Sequence, residues 1–155
     1  MRVLKIVLIC IAFITMPLSA QMSKNQLQTM YTDYLKTEGY LPSIDSDGDI
    51  YFKSEGKTYY IIVYDNDLGF FQLLYPEFWN IESEEERLQV AESASYATRR
   101  TKVAKVFMTS NGDTSISAEA FLKNPEDFKN VFPRMLSGIK TARDNFIERM
   151  AEFYE

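Results

Sequence analysis

Apolar residues recur along the chain in two rhythms, and the switches between them mark the elements. After Ser23, residues Leu27, Met30, Tyr31, Tyr34 and Leu35 fall three and four apart, the spacing of one helix face. Ser23 and Gln26 have capping-box spacing at its start, and Gly39 supplies its stop. Tyr40, Leu41, Pro42 and Ser43 then predict an extended segment, because proline disfavours helix in the residue before it.

The period next drops to two. Ile50 to Ser54, Thr58 to Tyr64 and Gly69 to Tyr75 are rich in Tyr, Phe, Ile and Val and are bounded by turn residues, which predicts three strands. A two-residue turn at Glu55-Gly56 would oppose Lys53 to Thr58, Phe52 to Tyr59, Tyr51 to Tyr60 and Ile50 to Ile61. That register puts Ile50, Phe52, Tyr59, Ile61 and Val63 on one face. Tyr51, Lys53, Thr58, Tyr60, Ile62 and Tyr64 take the other, and Lys53 marks it as the outer one, since a lone ammonium is costly to bury. In the third strand Gln72 belongs outside by the same reasoning, which sends Phe70 and Leu74 outward and Phe71, Leu73 and Tyr75 inward.

A second helix is expected after Phe78, Trp79 and Asn80. Ser83 and Glu86 repeat the capping-box spacing, and Glu84 to Glu86 suit the positive end of a helix dipole. It should run to about Arg100, with Leu88, Ala91, Ser95 and Thr98 on its packed stripe and Ala94 and Ala97 beside it. Val103 to Thr109 and Thr114 to Ala120 read as a hairpin about Asn111-Gly112-Asp113. Asn124 as N-cap and Pro125 at the first helical position open a last helix, with Phe132, Leu136, Ile139, Phe146, Met150 and Phe153 as its stripe and Pro133 kinking or restarting it. The expected fold is α+β with an antiparallel sheet, in the order α-β-β-β-α-β-β-α, and without internal repeats or low-complexity linkers.

The first 20 residues follow a different logic. Arg2 and Lys5 precede an eleven-residue apolar run, Ile6 to Met16, and Pro17, Leu18, Ser19 and Ala20 follow it. These are the parts of a secretory signal, too short for the ~20 apolar residues of a bilayer span. Cleavage after Ala20 would leave a single domain, residues 21–155, in the periplasm or outside the cell, with no membrane span. Cys10, the lone cysteine, has Leu8 and Ile9 before it where a lipid-attachment site would want small residues, so it belongs to the signal. The domain then holds 15 basic against 22 acidic residues, which disfavours nucleic acid and anionic membrane surfaces as partners.

The 155-residue chain contains no histidine, which excludes Ser-His-Asp triads, Cys-His pairs and His-ligated zinc. It also carries no GxSxG elbow, phosphate loop or dinucleotide fingerprint. Asp45-Ser46-Asp47-Gly48-Asp49 has acids at alternate positions like a calcium loop, but an EF-hand needs Gly at its sixth position and Glu at its twelfth, where Ile50 and Gly56 stand. A polar turn is the expectation there. Glu82, Glu84, Glu85 and Glu86 are read as helix-start electrostatics, and Arg99, Arg100, Lys102 and Lys105 as a helix C-terminus running into a solvated strand. No catalytic, cofactor or metal residue is expected. The outer-face residues Tyr51, Tyr60, Ile62, Tyr64, Phe70 and Leu74 are a larger apolar patch than a monomer usually exposes, and they are the expected partner-binding or dimer face.

The cues Gly39-Tyr40, Asp47-Gly48-Asp49-Ile50-Tyr51-Phe52, Lys102-Val103-Ala104-Lys105-Val106 and Phe146, with the order of elements, resemble the YbjN domain family across Met30 to Tyr154. That family is described as bacterial sensory transduction regulators and is similar in fold to type III secretion chaperones. The resemblance implies a sheet-and-helix sandwich, often a homodimer, that acts by binding and has no catalytic residues. The signal sequence departs from the cytoplasmic setting of a secretion chaperone. The expectation is therefore an exported, non-enzymatic module that binds a protein, a peptide or a second copy of itself. The alternative is a small-ligand or carbohydrate-binding domain, or a carboxylate-based hydrolase.

Overall fold

The computed structural model describes residues 22–64 and 66–155. The signal-like segment and its cleavage point therefore lie outside the described residues. The chain runs α1 (Lys24–Thr37), β1 (Ser43–Ile44), β2 (Ile50–Ser54), β3 (Lys57–Ile62), β4 (Phe70–Asn80), α2 (Glu84–Arg100), β5 (Ala104–Met108), β6 (Asp113–Phe121), a 3-10 turn (Pro125–Asp127) and α3 (Phe128–Ala151). The six strands form one antiparallel sheet in the order β1-β2-β3-β4-β6-β5. This is the α+β class with an antiparallel sheet, with one strand more than expected. The extended segment after Pro42 ends in the two-residue β1, which pairs Ser43 with Tyr51 and Ile44 with Ile50.

Local signals set several elements. At α1, the Ser23 hydroxyl accepts from the Gln26 amide at 3.3 Å and the Gln26 side chain accepts from the Ser23 amide at 2.8 Å, a complete capping box. Its end turns on Gly39 at φ +87, where Tyr40 N–H reaches the Leu35 carbonyl at 2.9 Å. Glu55 and Gly56 both take positive φ, which matches the strand twist in a two-residue hairpin. The β2–β3 register follows from it, with Phe52 opposite Tyr59 and Tyr51 opposite Tyr60.

The helices cover the inner face. Ile50, Phe52, Tyr59, Ile61, Val63, Phe71 and Leu73 are all buried beneath them. Tyr31 of α1, Phe71 of β4 and Phe128 of α3 meet with ring centroids 4.6–5.7 Å apart. At the other end of α3, Phe146 packs edge-on against Phe78 and Trp79.

Three expectations need correction. β4 continues through Pro76 to Asn80, where it was expected to end at Tyr75. Three residues, 76–78, stand between the pairs Tyr75–Ile116 and Trp79–Thr114 where β6 has one, so the proline sits in a bulge that does not need its missing amide. Glu77 takes φ +47 there and its amide donates to the Ser115 hydroxyl at 3.1 Å.

The packed face of α2 is Val90, Ser93, Ala94 and Ala97, rotated from the expected stripe, and Leu88 is 73% exposed. Small residues allow α2 to lie close to its neighbours, and long-range ties set its rotation. Arg149 of α3 reaches Glu92 and faces the Tyr96 ring, and Trp79 binds Glu86. The Ser83 half of the second capping box forms, but Glu86 turns away from it. Its carboxylate accepts from Trp79 Nε1 at 2.9 Å and from the Glu82 amide at 2.6 Å, joining the end of β4 to the start of α2. Glu86→Ala is expected to cost about 1–2 kcal/mol, since both donors lose a charged acceptor. Urea unfolding followed by the fluorescence of Trp79, the only tryptophan, measures it, and an unchanged midpoint would refute the tie.

Pro133 does not restart α3, which runs continuously from Phe128 to Ala151. The proline leaves the carbonyl of Lys129 without its helical donor. The Tyr34 hydroxyl lies 3.5 Å from that oxygen, and Lys129 is exposed to water. Pro125 opens the preceding 3-10 turn, where the Asp127 carboxylate accepts from the Asn124 amide at 3.2 Å.

Candidate binding face

The sheet face turned away from the helices carries Tyr51, Tyr60, Ile62, Tyr64, Phe70 and Leu74, each half-buried among its neighbours. Register arranges the strand residues in rows. Tyr51, Tyr60, Leu74, Ser117 and Lys105 lie side by side across β2, β3, β4, β6 and β5. Ile62, Gln72 and Glu119 form the next row, and Phe70 and Phe121 a further one. Tyr51 and Tyr60 have ring centroids 5.9 Å apart, Tyr64 and Phe70 5.1 Å, and Phe70 and Phe121 5.2 Å.

Phe121 is 83% exposed and extends the patch. The sequence reading missed it because β6 was ended one residue early. Carrying the alternation on from Glu119 would have found it.

A polar chain divides the aromatic rows. The Lys105 ammonium lies 2.8 Å from the Glu119 carboxylate, and the Ser117 hydroxyl donates to Glu119 Oε1 at 2.9 Å. Gln72 Nε2 donates to the same oxygen at 3.1 Å, and the Tyr64 hydroxyl donates to Gln72 Oε1. Direction follows from Glu119, which as a carboxylate only accepts. Gln72 must present its NH2 group to it and its carbonyl to Tyr64, so Tyr64 is held as donor. Burial, with the Glu119 charge adding to it, raises the Tyr64 phenol above its ordinary range.

The sheet's edges are closed to different degrees. On β5 the outward Val106 amide is taken by the Thr98 hydroxyl of α2 at 2.9 Å. On the other side β1 covers only Ile50 and Tyr51 of β2.

The remaining candidate groups go to separate places. The Asp45 carboxylate accepts from the amides of Asp47 and Asp49, both at 3.0 Å, and Asp49 accepts from the Val63 amide at 2.8 Å. These are turn and strand-end bonds, with Gly48 at φ +88. Among the described residues, no three Asp, Glu, His or Cys side chains converge as a metal site. Glu84, Glu85 and Glu86 occupy the first turn of α2. Of the basic group, Lys105 joins the outer face, Arg99 bonds the Ser95 carbonyl, and Arg100 stacks on Tyr96.

No helix among the described residues is long and apolar enough to cross a membrane. No family model matches the chain, and no curated protein matches it in sequence. The fold is similar to the crystal structure of an uncharacterized protein from Methanothermobacter thermautotrophicus, at 13% identity and a TM-score of 0.60 over 83% of this chain and 99% of that one.

Proposed function

We propose that this chain is an exported, non-enzymatic binding module that pairs with a second copy of itself through the outer sheet face. The single observation that carries this reading is the row of aromatic and aliphatic side chains from Tyr51 through Tyr60 to Leu74, with Phe70 and Phe121 beside it, on a face that no described helix covers. Such surfaces are ordinarily buried by association. A YbjN-like fold, akin to that of type III secretion chaperones and acting by binding, agrees with the α+β layout and the single antiparallel sheet. Export rests on the charged start, apolar run and small-residue exit of residues 1–20.

Light scattering on a sizing column tests the pairing. The native chain is expected at twice its monomer mass, and Tyr60→Lys with Phe70→Lys at the monomer mass, because opposed ammonium groups would be desolvated in the contact. A native monomer, or a double variant that still pairs, would refute self-association through this face.

A second reading, a carbohydrate site, draws on the polar chain Tyr64–Gln72–Glu119–Lys105 between the rings, which offers hydroxyl-matching groups beside aromatic platforms.

A further inference from the structure

We propose that the groove between α3 and the α2–β5 connection binds a single-chain carboxylate amphiphile, a fatty acid, with its acyl chain on the apolar floor and its carboxylate at the cationic rim. The groove has a volume of about 710 Å³, within the range of small-molecule sites. Val131 and the buried Met135 of α3 form its floor, and Val103 forms its lip.

That lip is unusual on two counts. Val103 is 63% exposed, and it holds φ +61, a region that a β-branched side chain rarely enters. Strain of this kind collects where a fold presents a surface for use. Gly138 lets the connection lie against α3, since a Cβ there would sit 3.3 Å from the Lys102 carbonyl oxygen.

The rim points to the charge of the ligand. Arg100, Lys102 and Arg134 border the groove. None of the three has a carboxylate partner within ion-pair distance among the described residues, and Arg100 lies over the Tyr96 ring at 5.0 Å. The one carboxylate in the lining, Glu119, is neutralised by Lys105 at 2.8 Å. Three cations without a carboxylate partner about one concavity, on a chain with 22 acidic and 17 basic residues, make a local positive field on an acidic surface.

An inorganic anion would leave the apolar floor unused, and a neutral lipid would leave the rim unused. A ligand with both parts uses both. The concavity is of small-molecule size, which favours a fatty acid over an extended peptide. The site shares Glu119 but no aromatic residue with the outer sheet face, so this titration and the light-scattering test of pairing can fail separately.

Calorimetric titration of the full chain with dodecanoate below its micellar concentration tests the proposal, with the Met135 methyl resonance locating the site. Saturable binding that shifts this methyl is expected. Lys102→Glu with Arg134→Glu should weaken it about tenfold or more at an unchanged melting temperature, through lost charge-assisted contacts. Should that variant fail to fold, the native affinity must still fall from low to high salt. Equal binding of dodecyltrimethylammonium, affinity indifferent to salt, or a Met135 methyl that does not move would overturn it. So would tighter binding of an acetylated peptide of alternating Glu and Val, which would assign the groove to a protein segment.

Discussion

Phe132→Ala is expected to lower the free energy of unfolding by about 3–5 kcal/mol, the range for truncating a buried phenylalanine where the surroundings cannot collapse. Phe132 is 2% exposed and belongs to α3. Its ring lies 5.7 Å from that of Phe52 in β2, 5.6 Å from that of Tyr34 in α1 and 6.1 Å from that of Tyr40 in the following segment. Those neighbours are held by separate elements, so no single side-chain rotation fills the void. A domain with ordinary stability of about 5–15 kcal/mol would lose a large share of it. Phe132→Leu, which keeps most of the volume, should cost clearly less. Urea unfolding followed by Trp79 fluorescence gives both numbers. A loss below about 1 kcal/mol for the alanine variant would mean that Phe132 does not join these elements.

The second large effect is alkaline. Above pH 10 stability should fall by roughly 1 kcal/mol per pH unit for each of Tyr31 and Tyr59. Both side chains are 1% exposed, and burial pushes the Tyr59 phenol up to about 12 and that of Tyr31 further. In the unfolded chain both release their protons near pH 10. From about pH 10 to about 12 the unfolded state thus binds fewer protons than the folded one, and stability declines as pH rises. It is fully present below pH 10. Lysine side chains ordinarily titrate in the same alkaline range, so the slope alone does not identify the tyrosines. Tyr59→Phe does, because it removes one titrating group and should make the decline shallower. Identical slopes for native and variant chains would exclude Tyr59 as a source.

The parts of the fold that were legible in sequence share a physical cause. The capping box at Ser23, the αL stop at Gly39 and the hairpin at Glu55-Gly56 are decided within a few residues, by hydrogen bonds and dihedrals that neighbours in sequence impose. Once the hairpin was placed, its register and the inner set Ile50, Phe52, Tyr59 and Ile61 followed from alternation. Alternation also placed Tyr51, Tyr60, Ile62, Phe70 and Leu74 on the same outer face.

The errors arose where distant contacts compete with weak local preference. Four small or modest residues, Val90, Ser93, Ala94 and Ala97, outweigh the single large Leu88 of α2 because they allow a close approach that Leu88 would block. Pro76 reads as a strand end until β6 is known to lie alongside, with Ser115 ready to accept the Glu77 amide. Pro133 reads as a kink or a restart, yet α3 continues through it, with the Tyr34 hydroxyl of α1 beside the freed carbonyl.

The sequence by itself determined the α+β class, the outer aromatic set and the exclusion of histidine chemistry, because composition, capping and two-residue alternation are local or additive properties. Tertiary structure alone decided that β6 lies beside β4. From that pairing come Glu119 next to Gln72, the polar chain through the aromatic face, and Phe121 at its margin. It likewise gathered Arg100, Lys102 and Arg134 around one groove, although they come from α2, its connection to β5 and α3. Residues in separate elements carry no mark of one another in the sequence. Their meeting is the outcome of burying one shared core, which brings surface groups together as a consequence of what packs beneath them.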